Sequence, residues 1–445
     1  MKSVAALKKK VLGRISPSAS EAEAEKRFAS RLKKILEGAG AEKVSFVGSA
    51  ARDTGLKGDN DIDLFLQYPP ELEKDYIVEK TFTYARKNIK ADWIVRYAEH
   101  PYLQAKIGAF KVEVIPCFIA KPHEGIKSAV DRSPLHMDYL QKRLSLKQRE
   151  DVRLLKQLLK NNGLYGAEIA VKGFSGLVCE YLTLNYRTFE GVVENSAKWR
   201  TPVRIDIEGT SEKQFIESLA IVDAIDRNRN AAAVTSEENV LRFIALCQAF
   251  ASNPSEKFFF AKRKARTLAE SKAAWKNRAT QIALVEFPSP DVVEDILSPQ
   301  LEKTRERAEK QLALDGFCAL GAHSFTEKGK CFMLFEFASA EKPLVEKHFG
   351  PPAQDGKAVA KFLKGKKILR GPFIEGSKIV VETAGKKENA FEKLAELKTR
   401  AVKWGAASHL LSPLKKAIVR KNEGVFTPGA AQGLQDYFFK HEPWW

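Results

Sequence analysis

Short apolar runs alternate with amphipathic stretches through residues 1–143. Side chains alternate between two faces along a strand and repeat every 3.6 residues around a helix, so the two periods separate the two kinds of element. The pattern predicts strands at 43–47, 61–66, 92–97 and 109–116, and a helix at 71–87. Residues 1–143 are therefore expected to form a head domain with a mixed sheet and flanking helices.

The pattern turns largely helical over residues 144–263. Ser236 is followed by two glutamates, which suits a helix N-cap with favourable charges in the first turn. The predicted elements are helices at 145–160, at 214–226 and from Ser236 onward, with a strand at 199–207. This region is expected to be a mainly helical central (neck) domain.

Residues 264–445 mix both patterns. They predict strands at 281–287 and 331–337, a helix from Ser298-Pro299 to residue 314, and a late helix at 388–404. The last five residues, 441–445, are expected to pack back onto the protein. The predicted fold class is a multidomain α+β protein with a mixed-sheet head, a helical central domain, and an α+β C-terminal body and tail.

The charge balance points to a polyanionic partner. The chain carries 74 lysines and arginines against 56 aspartates and glutamates, a net charge of +18, and phosphate contacts dominate nucleic-acid affinity. One basic cluster interleaves with Phe258, Phe259, Phe260 and Trp275; its members are Lys257, Lys262, Arg263, Lys264, Arg266, Lys272, Lys276 and Arg278. A second basic run lies between Lys361 and Arg370. A solvated basic surface is the alternative interpretation of both.

The five cysteines are odd in number, widely spaced and set among apolar residues. This indicates reduced core thiols rather than disulfides or a zinc site, and hence a reducing compartment. No stretch approaches the ~18 uninterrupted apolar residues of a membrane span. We expect a cytoplasmic protein without a membrane partner.

Candidate chemistry begins at the turn Gly48-Ser49-Ala50-Ala51-Arg52 and continues into the predicted strand that starts at Asp61. Asp61 and Asp63 are two residues apart on that strand, so they share one face. Mg²⁺ takes oxygen ligands and is usually held by one or two carboxylates together with substrate phosphates. The glycine turn lets backbone N–H groups and the Ser49 hydroxyl approach a triphosphate, and Arg52 adds a cation. The pairing predicts nucleotidyl transfer.

Each piece also has an ordinary explanation. An Asp-x-Asp pair next to glycine is common in surface turns and calcium loops, but here it lies inside an apolar strand, where a carboxylate pair needs a compensating charge. A third carboxylate is needed to bridge two metal ions, and Glu113 in the strand 109–116 is the candidate. Glu113 could instead be a strand-face charge paired with Lys111 or Lys106.

Several separate motifs together resemble one family, the archaeal (class I) CCA-adding tRNA nucleotidyltransferases of the polymerase-beta-like nucleotidyltransferase superfamily. The resemblance spans nearly the whole chain. The motifs are Gly48-Ser49-x-x-Arg52, Asp61-x-Asp63, Tyr97 to Tyr102, Val114 to Cys117, Ser128 to His136, Val152 to Lys156, Tyr165 to Glu168, Gly173 to Gly176, Asp226 to Asn230 and, more loosely, Gly371 to Phe373.

The resemblance implies a role for each matching residue. Ser49 and Arg52 would contact the triphosphate, and Arg229 would present donors to the base edge and help choose cytosine or adenine. His136, Lys156 and Tyr165 would bind the incoming nucleotide. The implied metal ligands are Asp61, Asp63 and Glu113. Two departures stand out, because the family usually has Asp where this chain has Glu113 and often Glu where it has Asp61.

The implied cofactor is Mg²⁺, as two ions, and the implied partners are CTP, ATP and tRNA, held by its acceptor end and upper arm. A homodimer is a further possibility. Taken alone, His136 could be a helix-entry residue, Lys156 a solvated lysine on an amphipathic helix, and Tyr165 a turn cap. The competing functions are a poly(A)-polymerase-like terminal adenylyltransferase and a non-catalytic RNA-binding protein on a transferase fold.

Overall fold

The computed structural model describes residues 2–96, 100–211, 213–261 and 264–445. Within it the chain divides into two compact units. The first contains Met1–Arg263 together with Glu442–Trp445, and the second contains Lys264–His441. Parts of two predicted motifs, Tyr97 to Glu99 and the pair Lys262-Arg263, lie outside the described residues.

The first unit contains a five-stranded sheet with the order β1-β2-β5-β4-β3. Strands β2 and β5 are parallel, and the remaining neighbours are antiparallel. The mixed sheet predicted for the head is therefore confirmed. Its strands are β1 (Lys43–Val47), β2 (Asp61–Tyr68), β3 (Ile94–Arg96), β4 (Tyr102–Ile107) and β5 (Phe110–Phe118).

Helices α2 and α4 cover one face of this sheet through a shared apolar core, in which Leu32 and Phe82 pack with Leu64 and Val114. The short α3 follows β1 directly, so it delivers its residues to the edge of the sheet. The bounds are α1 (Lys2–Ile15), α2 (Ala19–Leu36), α3 (Gly48–Ala51) and α4 (Lys74–Asn88).

A second core in the same unit is largely helical, as predicted. Helix α6 starts after an N-capping Ser145 that accepts from the Gln148 amide, and its Leu154, Leu155, Leu158 and Leu159 stripe is wholly buried. The helices are α5 (Arg132–Arg143), α6 (Leu146–Asn161), α7 (Gly176–Tyr186), α8 (Phe189–Ser196), α9 (Glu237–Ser252) and α10 (Lys257–Phe260).

The helix predicted at 214–226 is wrong. This segment instead contains β7 (Leu219–Ile221), which pairs in parallel with β6 (Val203–Ile205). All three residues of β7 are buried, and a short apolar run buried on both faces has no period that separates strand from helix. The strand predicted at 199–207 is present but shorter, because only Val203–Ile205 forms β6.

The second unit has a four-stranded antiparallel sheet with the order β14-β8-β10-β9 and a three-stranded sheet with the order β11-β13-β12. The predicted strands at 281–287 and 331–337 are confirmed by β8 and β10. The strands are β8 (Gln281–Pro288), β9 (Ala319–Glu327), β10 (Lys330–Phe337), β11 (Val345–Pro352), β12 (Ile368–Glu375), β13 (Lys378–Ala384) and β14 (Ile418–Lys421).

Two helix predictions for this unit need correction. Helix α12 begins at Glu294 rather than Ser298, so Pro299 lies inside it near its start. The continuous helix predicted at 388–404 is broken, because Glu396 separates α14 from α15. The helices are α11 (Leu268–Lys276), α12 (Glu294–Leu314), α13 (Gly356–Leu363), α14 (Ala390–Ala395), α15 (Leu397–Arg400), α16 (Leu411–Leu414) and α17 (Ala431–Phe438).

The aromatic residues of the first basic cluster pack in the hydrophobic cores of the two units. Phe259 and Trp275 are buried, and Phe258 and Phe260 pack against the helical core. Several of the cations are paired inside the second unit, Arg266 with Glu270, Lys272 and Lys276 with Glu423, and Arg278 with Glu336. Exposed aromatic rings for stacking on bases are therefore not found at these positions.

The five cysteines are free, and four of them are buried as predicted; Cys318 is the exception, because it is exposed. No helix in the described part of the chain combines the length and the apolar character that crossing a bilayer requires.

The last residues pack onto the helical core of the first unit. Arg242 on α9 donates from Nε and Nη2 to the two carboxylate oxygens of Glu442, at 2.8 and 3.0 Å. Trp444 packs against the same core, whereas Trp445 is 85% exposed. The expectation that 441–445 packs back is confirmed for Glu442 to Trp444.

Replacing Trp444 by Ala should lower the free energy of unfolding by about 1–2 kcal/mol, because a partly buried indole loses its apolar contacts. Urea unfolding of the full chain measures this change. The matched control is Trp445→Ala, which removes the same side chain from an exposed position and should leave stability unchanged. Equal losses in both variants would contradict the docking of Trp444.

Candidate active site

A cavity of about 420 Å³ opens in the first unit between the five-stranded sheet and the helical core. Its walls contain five of the predicted site residues, Arg52, Asp63, Glu113, His136 and Arg229. Residues more than 170 positions apart in the sequence thus meet at one place. Asp61 lies outside these walls; it is 49% exposed and lines a neighbouring cavity together with Lys111.

The carboxylates are placed by strand register. In the parallel pair β2–β5, Asp63 lies opposite Glu113 and Asp61 lies opposite Lys111. Residues two apart on one strand share a face, so all three carboxylates emerge on the same side of the sheet. Gln104 of the adjacent antiparallel β4 lies opposite Glu113 from the other direction.

Gly48 makes room for the Asp63 carboxylate. It has φ of +84°, and a Cβ at this position would lie 2.2 Å from Asp63 Oδ2. Only glycine satisfies both conditions, because it tolerates positive φ and has no side chain. The glycine of the predicted turn therefore shapes the site directly.

Lys111 and Gln104 hold Glu113 in this structure. Lys111 Nζ lies 3.0 Å from Glu113 Oε1 and 3.5 Å from Asp61 Oδ1, and Gln104 Nε2 donates to Glu113 Oε1 at 2.7 Å. The pairing of Glu113 with Lys111 matches the alternative interpretation of Glu113. Within the described ranges, no three histidine, cysteine, aspartate or glutamate side chains already converge on a point that could hold a metal ion.

The donor set nevertheless fits a divalent cation. Burial, and then the neighbouring Glu113 and Asp61, raise the pKa of Asp63 to about 7, although Lys111 and Arg52 oppose the rise. Such a rise shows that the negative charges here are under-compensated. A hard cation with oxygen ligands would supply the missing charge, and nucleotidyl transfer uses divalent metal ions for this purpose.

Arg52 reaches the cavity from the residue after α3, and a buried carboxylate holds it there. Arg52 Nε donates to Glu180 Oε1 at 2.9 Å, and Thr54 Oγ1 donates to the same oxygen at 2.7 Å. Glu180 on α7 is wholly buried. Burial alone would raise the pKa of Glu180, but Arg52 and Lys156 outweigh it, so the pKa is lowered.

Lys156 lies outside the residues that line the cavity. It is 2% exposed, which excludes the solvated lysine considered above. Its Nζ donates to the Thr54 carbonyl at 3.0 Å, and burial lowers the pKa of Lys156 although Glu180 opposes the change. Thr54 belongs to the loop 53–59, and two other cations on the same face of α6 contact this loop. Arg153 donates to Asp53 and to the Gly55 carbonyl, and Lys160 donates to Asp59.

Tyr165 lies next to Lys156, behind one wall of the cavity. A Cβ on Gly176 would lie 3.3 Å from the Tyr165 hydroxyl and 3.5 Å from Lys156 Nζ. Gly176 stands between Ser175 and Leu177, which line the cavity. Ser49, in contrast, lies on α3 and is not among the residues that line the cavity; a Cβ on Gly55 would lie 3.6 Å from its Oγ.

His136 and Arg229 share one buried carboxylate. His136 Nε2 lies 2.8 Å from Asp223 Oδ1, and Arg229 Nη1 donates to Asp223 Oδ2 at 2.6 Å. Burial would raise the pKa of Asp223, but its bond to His136 and the nearby Arg229 guanidinium hold that pKa well below its usual range.

Sequence reasoning missed Glu180 and Asp223. A signal for Glu180 was available, since it interrupts the otherwise neutral helical run from Leu177 to Leu184, and a charge inside an apolar helix needs a buried partner. Asp223 had a weaker signal, as the first charge after the apolar run from Leu219 to Val222. Neither signal names the partner.

The sheet, its carboxylates and the cavity define a nucleotidyltransferase. Residues 25–136 match the family model of the nucleotidyltransferase domain, residues 150–260 that of the tRNA nucleotidyltransferase second domain, and residues 278–417 that of the CCA-adding enzyme C-terminal domain.

Curated relatives give the family. The CCA-adding enzyme of Methanoregula boonei is 35% identical over 376 residues, which are 83% of this chain and 82% of that protein. The CCA-adding enzyme of Archaeoglobus fulgidus is 37% identical over 370 residues, 83% of this chain and 84% of that protein. The chain belongs to the family of archaeal CCA-adding enzymes, and the resemblance inferred from its motifs is confirmed.

A solved structure of the Cid1 poly(U) polymerase with Mg and 3′-dATP bound aligns at 13% identity with a TM-score of 0.48. The alignment covers 59% of this chain and 99% of that chain. A likeness this weak has no bearing on function.

Replacing Gly48 by Ala should lower nucleotide incorporation at least about 100-fold, because the new Cβ displaces the Asp63 carboxylate. The control is Gly58→Ala, where φ is +87° and nothing lies within 4 Å of the added Cβ. Both variants should lose about 1 kcal/mol of stability from the strained backbone. Steady-state incorporation and urea unfolding separate the two effects, and equal activity in both variants would contradict the role of Gly48.

Replacing Glu180 by Gln should destabilise the first unit by about 3 kcal/mol, because Arg52 loses the charge that compensates it in the interior. Urea unfolding measures the loss. The control is Glu23→Gln, which breaks a surface ion pair with Arg27 in which both side chains are exposed and should change stability little. Similar unfolding midpoints for the two variants would show that Glu180 is not a structural anchor.

Proposed function

We propose that this protein adds C, C and A to the 3′ end of tRNA, using CTP and ATP without a nucleic-acid template and releasing pyrophosphate. Membership of the CCA-adding enzyme family is the observation that carries this function. The cavity that joins Asp63 and Glu113 to Arg52, His136 and Arg229 supports it, since carboxylates and cations are what a metal-bound triphosphate requires.

Asp61, Asp63 and Glu113 are the proposed ligands of two Mg²⁺ ions. Bound there, such ions would supply the positive charge that activates the 3′-hydroxyl of the tRNA and neutralises the departing pyrophosphate. Lys111 and Gln104 both contact the Oε1 atom of Glu113, so its Oε2 atom is the proposed metal ligand.

Arg52 and Ser49 are the proposed contacts of the triphosphate, and His136, which lines the cavity, is proposed to bind the incoming nucleotide. The Glu180 carboxylate fixes Arg52 by its Nε atom, which leaves the remaining donors of the guanidinium fork for phosphate oxygens. Lys156 and Tyr165 are proposed to join them from behind Gly176. Lys156 can do so by exchanging its bond to the neutral Thr54 carbonyl for a bond to a charged phosphate, which is the stronger partner.

Arg229 is the proposed reader of the base edge. Its side chain is 35% exposed, and its guanidinium is tied to the interior only through Asp223 in the described residues, so part of its donor fork remains for a base. Together with the growing RNA end it would shape a pocket that accepts cytosine first and adenine last.

The proposed working division of the chain is a catalytic head over 1–143, a helical neck over 144–263, and a tRNA-binding body and tail over 264–445. The net charge of +18 favours such a polyanionic substrate. The acceptor end and the upper arm are the proposed contacts of the tRNA, recognised through shape and phosphates. We further propose that the reaction takes place in the cytoplasm. A homodimer is also proposed, and sedimentation of the full chain tests it.

The decisive experiment is extension of a tRNA that lacks its CCA end, resolved nucleotide by nucleotide, with CTP alone, ATP alone and both. We expect two additions with CTP and one further addition when ATP is present. A long ladder of A residues would instead indicate a poly(A)-polymerase-like activity, and tight tRNA binding without any product would indicate a non-catalytic RNA-binding protein.

Replacing Asp63 by Asn should lower incorporation by about a thousandfold while tRNA affinity stays within about twofold, because the substitution removes charge needed in the transition state. Single-turnover extension and filter binding measure the two quantities. The control is Asp75→Asn on the exposed first turn of α4, which should behave as the unmodified chain. Loss of tRNA binding along with activity would point to a folding defect instead.

A further inference from the structure

Asp223 joins three elements at the back of the cavity. It follows β7, and its side chain is wholly buried. Its Oδ1 atom lies 2.8 Å from His136 Nε2 on α5 and accepts from the Tyr181 hydroxyl on α7 at 2.9 Å and from the Ile225 amide at 3.0 Å. Its Oδ2 atom accepts from Arg229 Nη1 at 2.6 Å. One carboxylate thus connects α5, α7 and the turn that carries Arg229.

Asp223 also closes that turn through its backbone. Its amide donates to the Arg229 carbonyl at 3.0 Å, and within the turn the Arg229 amide donates to the Asp226 carbonyl at 2.8 Å. The side-chain bond from Arg229 therefore spans a turn that is already closed by hydrogen bonds. The guanidinium is left with little freedom to swing away from its present direction.

Only some residues of this hydrogen-bonded group line the cavity. His136 and Arg229 line the cavity, whereas Asp223 and Tyr181 are absent from its walls. A carboxylate outside the cavity walls thus contacts two side chains that form part of them. Burial of the carboxylate strengthens these contacts, because a buried charge whose partner moves away is left uncompensated.

We propose that Asp223 is a positioning residue for nucleotide selection, which holds Arg229 and His136 in a fixed relation so that the base and the phosphates are recognised as one unit. This inference rests on the proposed function, in which Arg229 reads the base and His136 contacts the nucleotide. A pre-organised arginine loses little freedom when it binds, and it rejects a base whose donors and acceptors do not match its fork.

The test compares Asp223→Asn with the unmodified chain on two substrates, tRNA lacking CCA and tRNA ending in CC. For each, kcat and KM are measured with CTP and with ATP. Asparagine is close to aspartate in shape and retains one acceptor oxygen, so the fold should persist. We expect the preference for the correct nucleotide to fall about tenfold to a hundredfold, mainly through KM, because charge-assisted hydrogen bonds are lost.

The matched control is Asp206→Asn. Asp206 is a partly buried carboxylate that follows β6 as Asp223 follows β7. It accepts from the amides of Gly209 and Ser211, and in the described part of the chain it has no hydrogen bond or ion pair with a residue that lines the cavity. Its replacement should leave nucleotide preference unchanged. A loss of preference in this control equal to that in Asp223→Asn would mean that any disturbance beside the β6–β7 pair has the same effect, and would overturn the proposal.

A double-variant cycle shows whether Asp223 acts through Arg229. If it does, Asp223→Asn combined with Arg229→Lys should lose no more preference than Arg229→Lys alone. Additive losses would overturn the proposal, as would an Asp223→Asn variant that loses thermal stability but keeps its preference. If the unmodified chain adds no nucleotide to tRNA, the proposed function and this proposal both fail. If the unmodified chain extends tRNA and the Asp223→Asn variant keeps its nucleotide preference, only the positioning role is refuted.

Discussion

The parallel pairing of β2 with β5 is the constraint on which the candidate site depends. It sets Asp63 opposite Glu113, and the register is held by the other face of the same strands, where Ile62, Leu64, Val112 and Val114 are all completely buried. A slip of one residue would turn the apolar set toward the cavity and the carboxylates toward the core. The apolar packing of the head therefore fixes the spacing of its charges.

A second constraint comes from the helical core, which supplies carboxylates behind the cations of the cavity. Glu180 holds Arg52, and Asp223 holds Arg229 and lies beside His136. Without a bound triphosphate, unpaired cations gathered around one cavity would repel one another. A buried carboxylate removes this repulsion and fixes the direction of each cation, while the outward donors of the arginine forks stay available.

Local signals in the sequence account for much of this arrangement. These signals act within a few residues. Hydrophobic alternation predicts β1 and β2, the latter around Asp61 and Asp63, and the N-caps at Ser145 and Ser236 predict the starts of α6 and α9. The helix prediction at 214–226 failed because β7 is defined by its distant partner β6 rather than by its own hydrophobic period. The meeting of Arg52 with Glu180, 128 positions apart, likewise depends on how α7 packs, which no local pattern encodes.

Lys156 shows how packing changes the meaning of a residue that the motifs single out. Three cations of α6, Arg153, Lys156 and Lys160, contact the loop from Asp53 to Asp59, but only Lys156 has no direct carboxylate partner among its hydrogen bonds in the described residues. Its partners are the carbonyl and hydroxyl of Thr54, which are neutral. Because its hydrogen-bond partners are neutral and the Glu180 carboxylate acts on it only through space, this buried ammonium is the least compensated of the three. In the proposed function, a phosphate that arrives at Gly176 therefore competes most effectively for Lys156, and the loop then loses its contact with one of these three cations of α6.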